Sequence, residues 1–399
     1  MCGICEGASV DSINPIHHSK AELPSLESAH IAVIGLGYVG LPLSLALGRL
    51  YPCVGFDIDS ARIDELRRTH DRSAQVSSDE IESARLLTFS YELSAIAEAN
   101  IYIICVPTPI DKHKVPNLAP LLSASEIVGR VLQRGNVVIY ESTTYPTCTE
   151  NECKDKLEST SSLRFNEDFY LGYSPERINP SDKEHSLTQI CKVTSGSNEA
   201  VAELVDSLYA SIITAGTHRA SSMRVAEMSK LIENAQRDLN IAFVNEVAMI
   251  CNYLDIDVHE VLSAARSKWN FLPFSPGLVG GHCISVDPYY LTHKMNAIGY
   301  FPQVISSGRL INDAMPHFAM PHFVAQKIIK LMVRSQILIL GSKILILGIA
   351  FKPDCPDIRN SKVPLVKDEL ESYGAQVSVY DSVVSAEEVQ RVLTTLVSP

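Results

Sequence analysis

The chain has 399 residues, enough for two or three domains at roughly 150 residues each. With 34 Lys and Arg against 46 Asp and Glu, the formal net charge is −12; this excludes a broad basic face for nucleic acid or an anionic membrane but allows a local anion pocket. No apolar run reaches the roughly 18 residues of a membrane span, no secretory pattern opens the chain, and ten Cys are too sparse for a disulfide scaffold, so a cytoplasmic setting is expected.

Residues 1–29 carry Asn-Pro, a His pair and scattered Ser without helical or strand period, and are expected to be a disordered extension. Cys2 and Cys5 form a single CxxC with no second Cys or His pair at matching spacing, so no metal site is expected. From His30 the chain becomes regular. Short apolar strands are predicted at 31–34, 54–57, 101–106, 137–140 and 170–173, with helices over 38–50 and 61–68. Strands alternating with helices predict a parallel, doubly wound α/β sheet, here over residues 30–215. A long helix is predicted over 223–254, within a central helical region at 216–330, and the Gly- and Pro-rich stretch 271–288 reads as loop. A second α/β unit starts at Lys343, with strands at 344–347 and 376–381 around a helix at 363–373. In the first unit the third strand begins 70 residues after the first; only 55 residues remain after Ile344, so the second unit, 343–399, is expected to be partial. The five residues 314–318 (AMPHF) recur as 319–323, and five residues are not a whole number of helical turns.

Gly35-Leu-Gly37-Tyr38-Val39-Gly40 follows a strand and opens a helix, the context in which GxGxxG signals a dinucleotide. Gly35 permits the tight turn, Gly37 close approach of a pyrophosphate, and Gly40 tight helix–strand packing. Asp57 ends the second strand, where a carboxylate accepts from ribose hydroxyls and repels a 2′-phosphate; NAD is therefore expected over NADP.

Other residues sit where ligands are met. Gly277, Gly280 and Gly281 lead into Cys283, and glycines let a backbone wrap a ligand beside a thiol, although a Cys is most often a small core residue. Asp287 lies four residues on. Lys230 and Asn234 are one turn apart and share a helix face, where a cation and an amide can hold an oxyanion. Glu176, Thr143 and Thr108 each follow a strand, at the carboxyl edge of the sheet; taken singly, each is more often a turn residue.

In order, the chain carries GLGYVG, VPTP, EST, SPERINP, KLIEN, GGHCISVDPYYL and FKPDCPDIRNSKV. This combination, over about residues 30–381, resembles the UDP-glucose/UDP-N-acetylhexosamine 6-dehydrogenase family of nucleotide-sugar dehydrogenases. The form GGHCISVDPYYL, with KWNFLPF upstream, resembles the branch acting on UDP-N-acetylglucosamine and UDP-N-acetylgalactosamine. The resemblance implies an N-terminal Rossmann domain, a long central helix and a UDP-binding Rossmann-like domain. It also implies oxidation of a C6 hydroxyl to a carboxylate with two NAD, and a homodimer or higher oligomer. It implies Cys283 as nucleophile, Lys230, Asn234, Thr143 and Asp287 around the oxyanion, and Glu176 as acid or base. For the cofactor it implies Gly35, Gly37, Tyr38, Val39, Gly40, Asp57, Arg62, Thr108, Thr143 and Arg359. For the UDP-sugar it implies Glu176, Arg177, Lys230, Asn234, Phe271, Gly277, Gly280 and Lys352, with Arg309 and Asn312 in a matching segment. Thr147 stands where that family usually has Gly, implying an altered turn. UDP-glucose is the alternative substrate. A rival of another class is a catalytically impaired NAD-binding relative that acts as an interaction protein, motivated by the short second unit.

Overall fold

The computed structural model describes residues 20–73, 75–178, 187–281, 283–315, 320–350, 357–358 and 361–395. Strands β1 (Ile31–Ile34), β2 (Cys53–Phe56), β3 (Leu87–Ser90), β4 (Ile101–Ile104), β5 (Val137–Tyr140) and β6 (Tyr170–Tyr173) form one parallel sheet in the order 3-2-1-4-5-6. That is the doubly wound order expected from the alternating elements. The apolar runs Ile-Ala-Val-Ile, Ile-Tyr-Ile-Ile and Val-Val-Ile-Tyr are buried at every residue because helices cover both faces. On one face α1 (Gly40–Gly48) and α6 (Glu199–Ala210) pack on Ile31, Val33, Ile101 and Ile103; on the other, α4 (Ala119–Gly129) and α5 (Lys154–Ser161) pack on Ala32, Ile34, Tyr102 and Ile104. The short helices α2 (Ser60–Leu66) and α3 (Ser78–Ser83) join β2 to β3. Each fully buried Val, Ile or Leu contributes about 1.5–3 kcal/mol.

Three features differ from expectation. Strand β3 lies at the sheet edge, where only Ser90 of Leu-Thr-Phe-Ser is buried, so its sequence carries no long apolar run. Strands β7 (Lys192–Thr194) and β8 (Thr217–Arg219) form a separate parallel pair beside β6. Residues 20–29 are packed rather than disordered: Ala21 donates its N–H to Glu167 O at 2.8 Å and accepts from the Tyr170 hydroxyl at 2.6 Å, while Leu23 and Leu26 join the core and Ala29 is buried. Small apolar residues spaced without period still dock when a sheet end offers an apolar surface.

Helix α7 (Met223–Tyr253) is 31 residues long, N-capped by Ser222, and is followed by α8 (Val258–Arg266), α9 (Asp287–Ala297), α10 (Gln303–Ala314) and α11 (Met320–Arg334). Four of the ten residues of the AMPHF repeat, 316–319, lie outside the described residues. The second α/β unit comprises β9 (Lys343–Leu347), α12 (Val363–Ser372), β10 (Gln376–Tyr380) and α13 (Ala386–Thr395), with β9 and β10 paired in parallel. No helix among the described residues is long and apolar enough to cross a membrane.

Candidate active site

The first half of the site is the β1–α1 turn. Gly35 has φ +95°, and a Cβ there would lie 3.0 Å from Cys105 O. At Gly40 a Cβ would lie 1.8 Å from Gly35 O, so only glycine lets α1 close onto the turn. Gly37 faces open space. Leu36 donates its N–H to Asp57 Oδ2 at 2.8 Å and Asp59 its N–H to Oδ1 at 3.0 Å, which fixes the carboxylate at the rim of a cavity of about 400 Å³. Gly37, Tyr38 and Asp57 line it, and Val39 begins α1 without a side-chain cap. An open glycine backbone at a helix start, beside a strand-end carboxylate, fits the pyrophosphate and ribose of a dinucleotide. Arg62 also lines this cavity, but its guanidinium is buried and donates to Leu36 O, Glu65 and Asp71. It therefore holds the turn rather than presenting a free cation. Arg72, half-exposed and paired with Asp59 at 2.7 Å, is the more accessible cation here, and no sequence signal singled it out.

The second half gathers at the carboxyl ends of β4, β5 and β6. The Tyr290 hydroxyl donates to Pro109 O at 3.3 Å, beside the half-buried Thr108, and Thr143 is half-buried after β5. Glu176 follows β6; its Oε1 is buried without a protein partner and its Oε2 lies 3.5 Å from the Lys230 Nζ. Lys230 and Asn234 project from the same face of α7, as their spacing requires, and both are buried. Burial disfavours the Lys230 ammonium, but Glu176, Cys283, Asp287 and Glu233 outweigh it and raise the pKa above the usual lysine value. Asn234 donates to Asp287 Oδ2 at 2.5 Å and accepts from Arg237. Asp287 opens α9, and its N–H donates to Cys283 O at 2.8 Å, tying the thiol's backbone to the same cluster. Cys283 itself is a free, half-buried thiol. The arrangement places an ammonium 3.5 Å from a carboxylate and within the field of the Cys283 thiol, suited to charge developing on a reacting oxygen.

One turn before Lys230, Glu227 is fully buried. It accepts from the Thr144 hydroxyl at 3.1 Å, the Thr147 N–H at 2.7 Å, and the Thr149 N–H and hydroxyl at 3.0 and 2.7 Å. Burial pushes its pKa up to about 7 against these donors. Thr147 keeps φ +84°, so the left-handed turn survives without glycine, held by this carboxylate.

Further along α7, Asn245 accepts from Gly277 N–H at 2.8 Å and donates to Gly277 O at 3.0 Å, clamping the loop that contains Phe271 and Gly280. It also donates to Asn312, which in turn bonds Asp238; Arg309 pairs with Asp238 at 2.5 Å. Arg309 and Asn312 thus brace the loop's support. Arg177 forms a two-point pair with Glu233 and donates to Cys191 O at 2.7 Å, so it is committed to α7. Lys352 and Arg359 lie outside the described residues.

Three profiles of one family match the sequence: the UDP-glucose/GDP-mannose dehydrogenase family NAD binding domain over 29–213, its central domain over 224–314 and its UDP binding domain over 345–398. The UDP-N-acetyl-D-glucosamine 6-dehydrogenase of Pseudomonas aeruginosa is 54% identical over 363 residues, covering 91% of this chain and 85% of that protein. Its namesake from Salmonella typhi is 54% identical over 366 residues, covering 92% and 85%. Among solved structures, the UDP-D-ManNAc dehydrogenase from Pyrococcus horikoshii superposes with a TM-score of 0.79 at 32% identity, covering 90% of this chain and 86% of that one. With an NAD-type turn, a thiol–lysine–carboxylate cluster and three matched domains in one chain, the protein belongs to the UDP-glucose/GDP-mannose dehydrogenase family.

Proposed function

We propose that the chain oxidises the C6 hydroxyl of a UDP-N-acetylhexosamine, UDP-N-acetylglucosamine first, to the uronate, as a step towards surface polysaccharide. The carrying observation is the buried Lys230 ammonium, 3.5 Å from Glu176 and within the field of Cys283 and Asp287. NAD, when bound, accepts a hydride in each of two oxidations. Gly35, Gly37, Tyr38, Val39 and Gly40 hold its pyrophosphate, Asp57 its ribose, and Thr108 and Thr143 the nicotinamide side. Lys230 and Asn234 stabilise negative charge on the C6 oxygen, with Asp287 fixing Asn234. Cys283 attacks the aldehyde as thiolate; its sulfur bonds to C6 and the carbonyl electron pair moves onto oxygen beside Lys230. The adduct is oxidised to a thioester, and Glu176 takes the proton of the water that releases the acid. The loop 271–280 surrounds the UDP-sugar. Residues 30–215, 216–330 and 343 onward serve as cofactor, central and UDP-binding domains. A cytoplasmic homodimer or higher oligomer completes the reading.

The test follows NADH with UDP-N-acetylglucosamine, UDP-N-acetylgalactosamine and UDP-glucose, for the wild type and Cys283→Ser. Two NADH per N-acetylated sugar, with turnover falling by about 10³-fold or more in the variant, is expected. Turnover of UDP-glucose alone would transfer the assignment to that sugar. A folded, NAD-binding chain that oxidises none of the three would be an impaired relative.

A further inference from the structure

Beneath the catalytic end of the sheet lies a buried ion pair that the mechanism above does not use. Lys192, on β7, is 3% exposed, and Glu141, which follows β5, is 1% exposed. The Lys192 Nζ donates to Glu141 Oε2 at 2.8 Å, to Pro175 O at 3.0 Å and to Ser174 O at 3.3 Å. An ammonium has three N–H donors, so these contacts exhaust it. The other oxygen of Glu141 accepts from the Tyr209 hydroxyl. Two of the three contacts of Lys192 are therefore to the carbonyls immediately before Glu176.

The Ser174–Pro175 segment needs such an anchor. Pro175 has no N–H, so it cannot be tied down through a donor of its own. Around it, Ser174 Oγ donates to Val193 O at 2.6 Å, and Ser195 Oγ donates to Tyr173 O at 2.6 Å, stitching the end of β6 to the three residues that follow Lys192. Next along the chain, Glu176 keeps one buried oxygen without a protein partner. A buried pair is often replaceable by apolar residues with little loss of stability, so stability alone does not explain one at this place. We propose that Lys192, charge-balanced by Glu141, is a positioning residue: by gathering the Ser174 and Pro175 carbonyls it aims Glu176 at the water that hydrolyses the thioester.

This rests on the role given above to Glu176. In that step the water oxygen bonds to the thioester carbon and its proton passes to the Glu176 carboxylate. The C–S bond breaks, its electron pair returning to Cys283 as thiolate, and the acid leaves; no oxidation is involved. A misaimed base slows this step while leaving the preceding oxidations in place, so covalent enzyme must accumulate.

The experiment mixes the full chain with NAD and UDP-N-acetylglucosamine, quenches in acid, and reads the sugar-nucleotide adduct by intact mass. Glu176→Gln is the reference. Lys192→Met/Glu141→Gln removes both charges together, leaving no buried carboxylate unpaired. Lys192→Arg keeps the pairing charge but displaces the carbonyl contacts. Both are expected to melt with an unchanged shift on adding NAD, to release product about 10–100-fold more slowly, and to carry adduct on Cys283 at steady state. If Glu176→Gln accumulates no adduct, the role of Glu176 fails, and this inference with it. If Glu176→Gln accumulates adduct but folded Lys192→Arg turns over without it, the positioning role alone is overturned. The Arg variant decides the question even where the double variant does not fold.

Discussion

At the end of β1, Gly35 donates its N–H to Phe56 O at 2.8 Å, and the next N–H, that of Leu36, goes to Asp57 at 2.8 Å. At the end of β9, Gly348, with φ +97°, donates to Tyr380 O at 2.7 Å, and Ile349 goes to Asp381 at 2.8 Å. The two α/β units thus share a glycine turn locked onto the carboxylate that ends the next strand. They differ in what remains of that carboxylate. Asp57 takes two backbone donors and stands at a cavity rim. Asp381 takes four, from Ile349, Ala350, Val383 and Val384. An ionised carboxylate has about four lone-pair sites, so Asp57 keeps half of them open and Asp381 keeps none. The same turn leaves acceptor capacity open at a cavity rim in one unit and closes on itself in the other.

Four substitutions would break or sharpen this contrast. Gly40→Ala has the largest expected effect: its Cβ would overlap Gly35 O, costing more than about 3 kcal/mol, and the thermal shift with NAD should vanish. Asp57→Asn should weaken NAD about 10–100-fold, reduce discrimination against NADP, and cost less stability than the same change at Asp381, since Asp57 holds two backbone donors rather than four. Asp381→Asn should do the reverse, losing about 1–2 kcal/mol of stability with the KM for NAD unmoved. For Asp381, burial would raise the pKa, but the backbone donors hold it below the ordinary carboxylate value. Its stabilisation is therefore complete above about pH 4 and lost as the pH falls through the lowered folded value, so denaturation curves of wild type and variant should converge in acid. The smallest effect concerns a third turn held by a carboxylate, at Glu227, which has Thr147 in place of glycine. Thr147→Gly relieves a β-branched residue at φ +84° and removes a buried hydroxyl without a partner; a gain of about 1 kcal/mol is expected in urea denaturation.

What the sequence disclosed follows from how local each signal is. The β1 turn was legible because strand, glycines, helix and Asp57 lie within 27 residues and each obeys a local rule. Lys230 and Asn234 were legible as a pair because helical spacing alone puts them on one face. Edge strand β3 was not, since a strand packed on few neighbours carries no apolar run. Glu227, Glu141 and Lys192 were not legible either: their partners lie 78 and 51 residues away in sequence, and a buried carboxylate reads like a surface one until the chain has folded around it. Arg62 shows a different limit: it stands beside the β1 turn, but its charge is spent on Asp71 and Glu65, partners that no local pattern discloses.

Helix α7 carries Glu227, Lys230, Asn234, Asp238 and Asn245, each buried and each engaged with a segment distant in sequence. At 1.5 Å per residue the span from Glu227 to Asn245 is about 27 Å. A rod of this kind leaves no place to absorb an insertion. One added residue between Lys230 and Asn245 would turn everything downstream by about 100° and carry Asn245 off the Gly277 loop, while Glu227 still gripped its own turn. The register of α7 thus behaves as a fixed gauge between the Glu176–Asp287 cluster at one end and the Gly277 loop at the other.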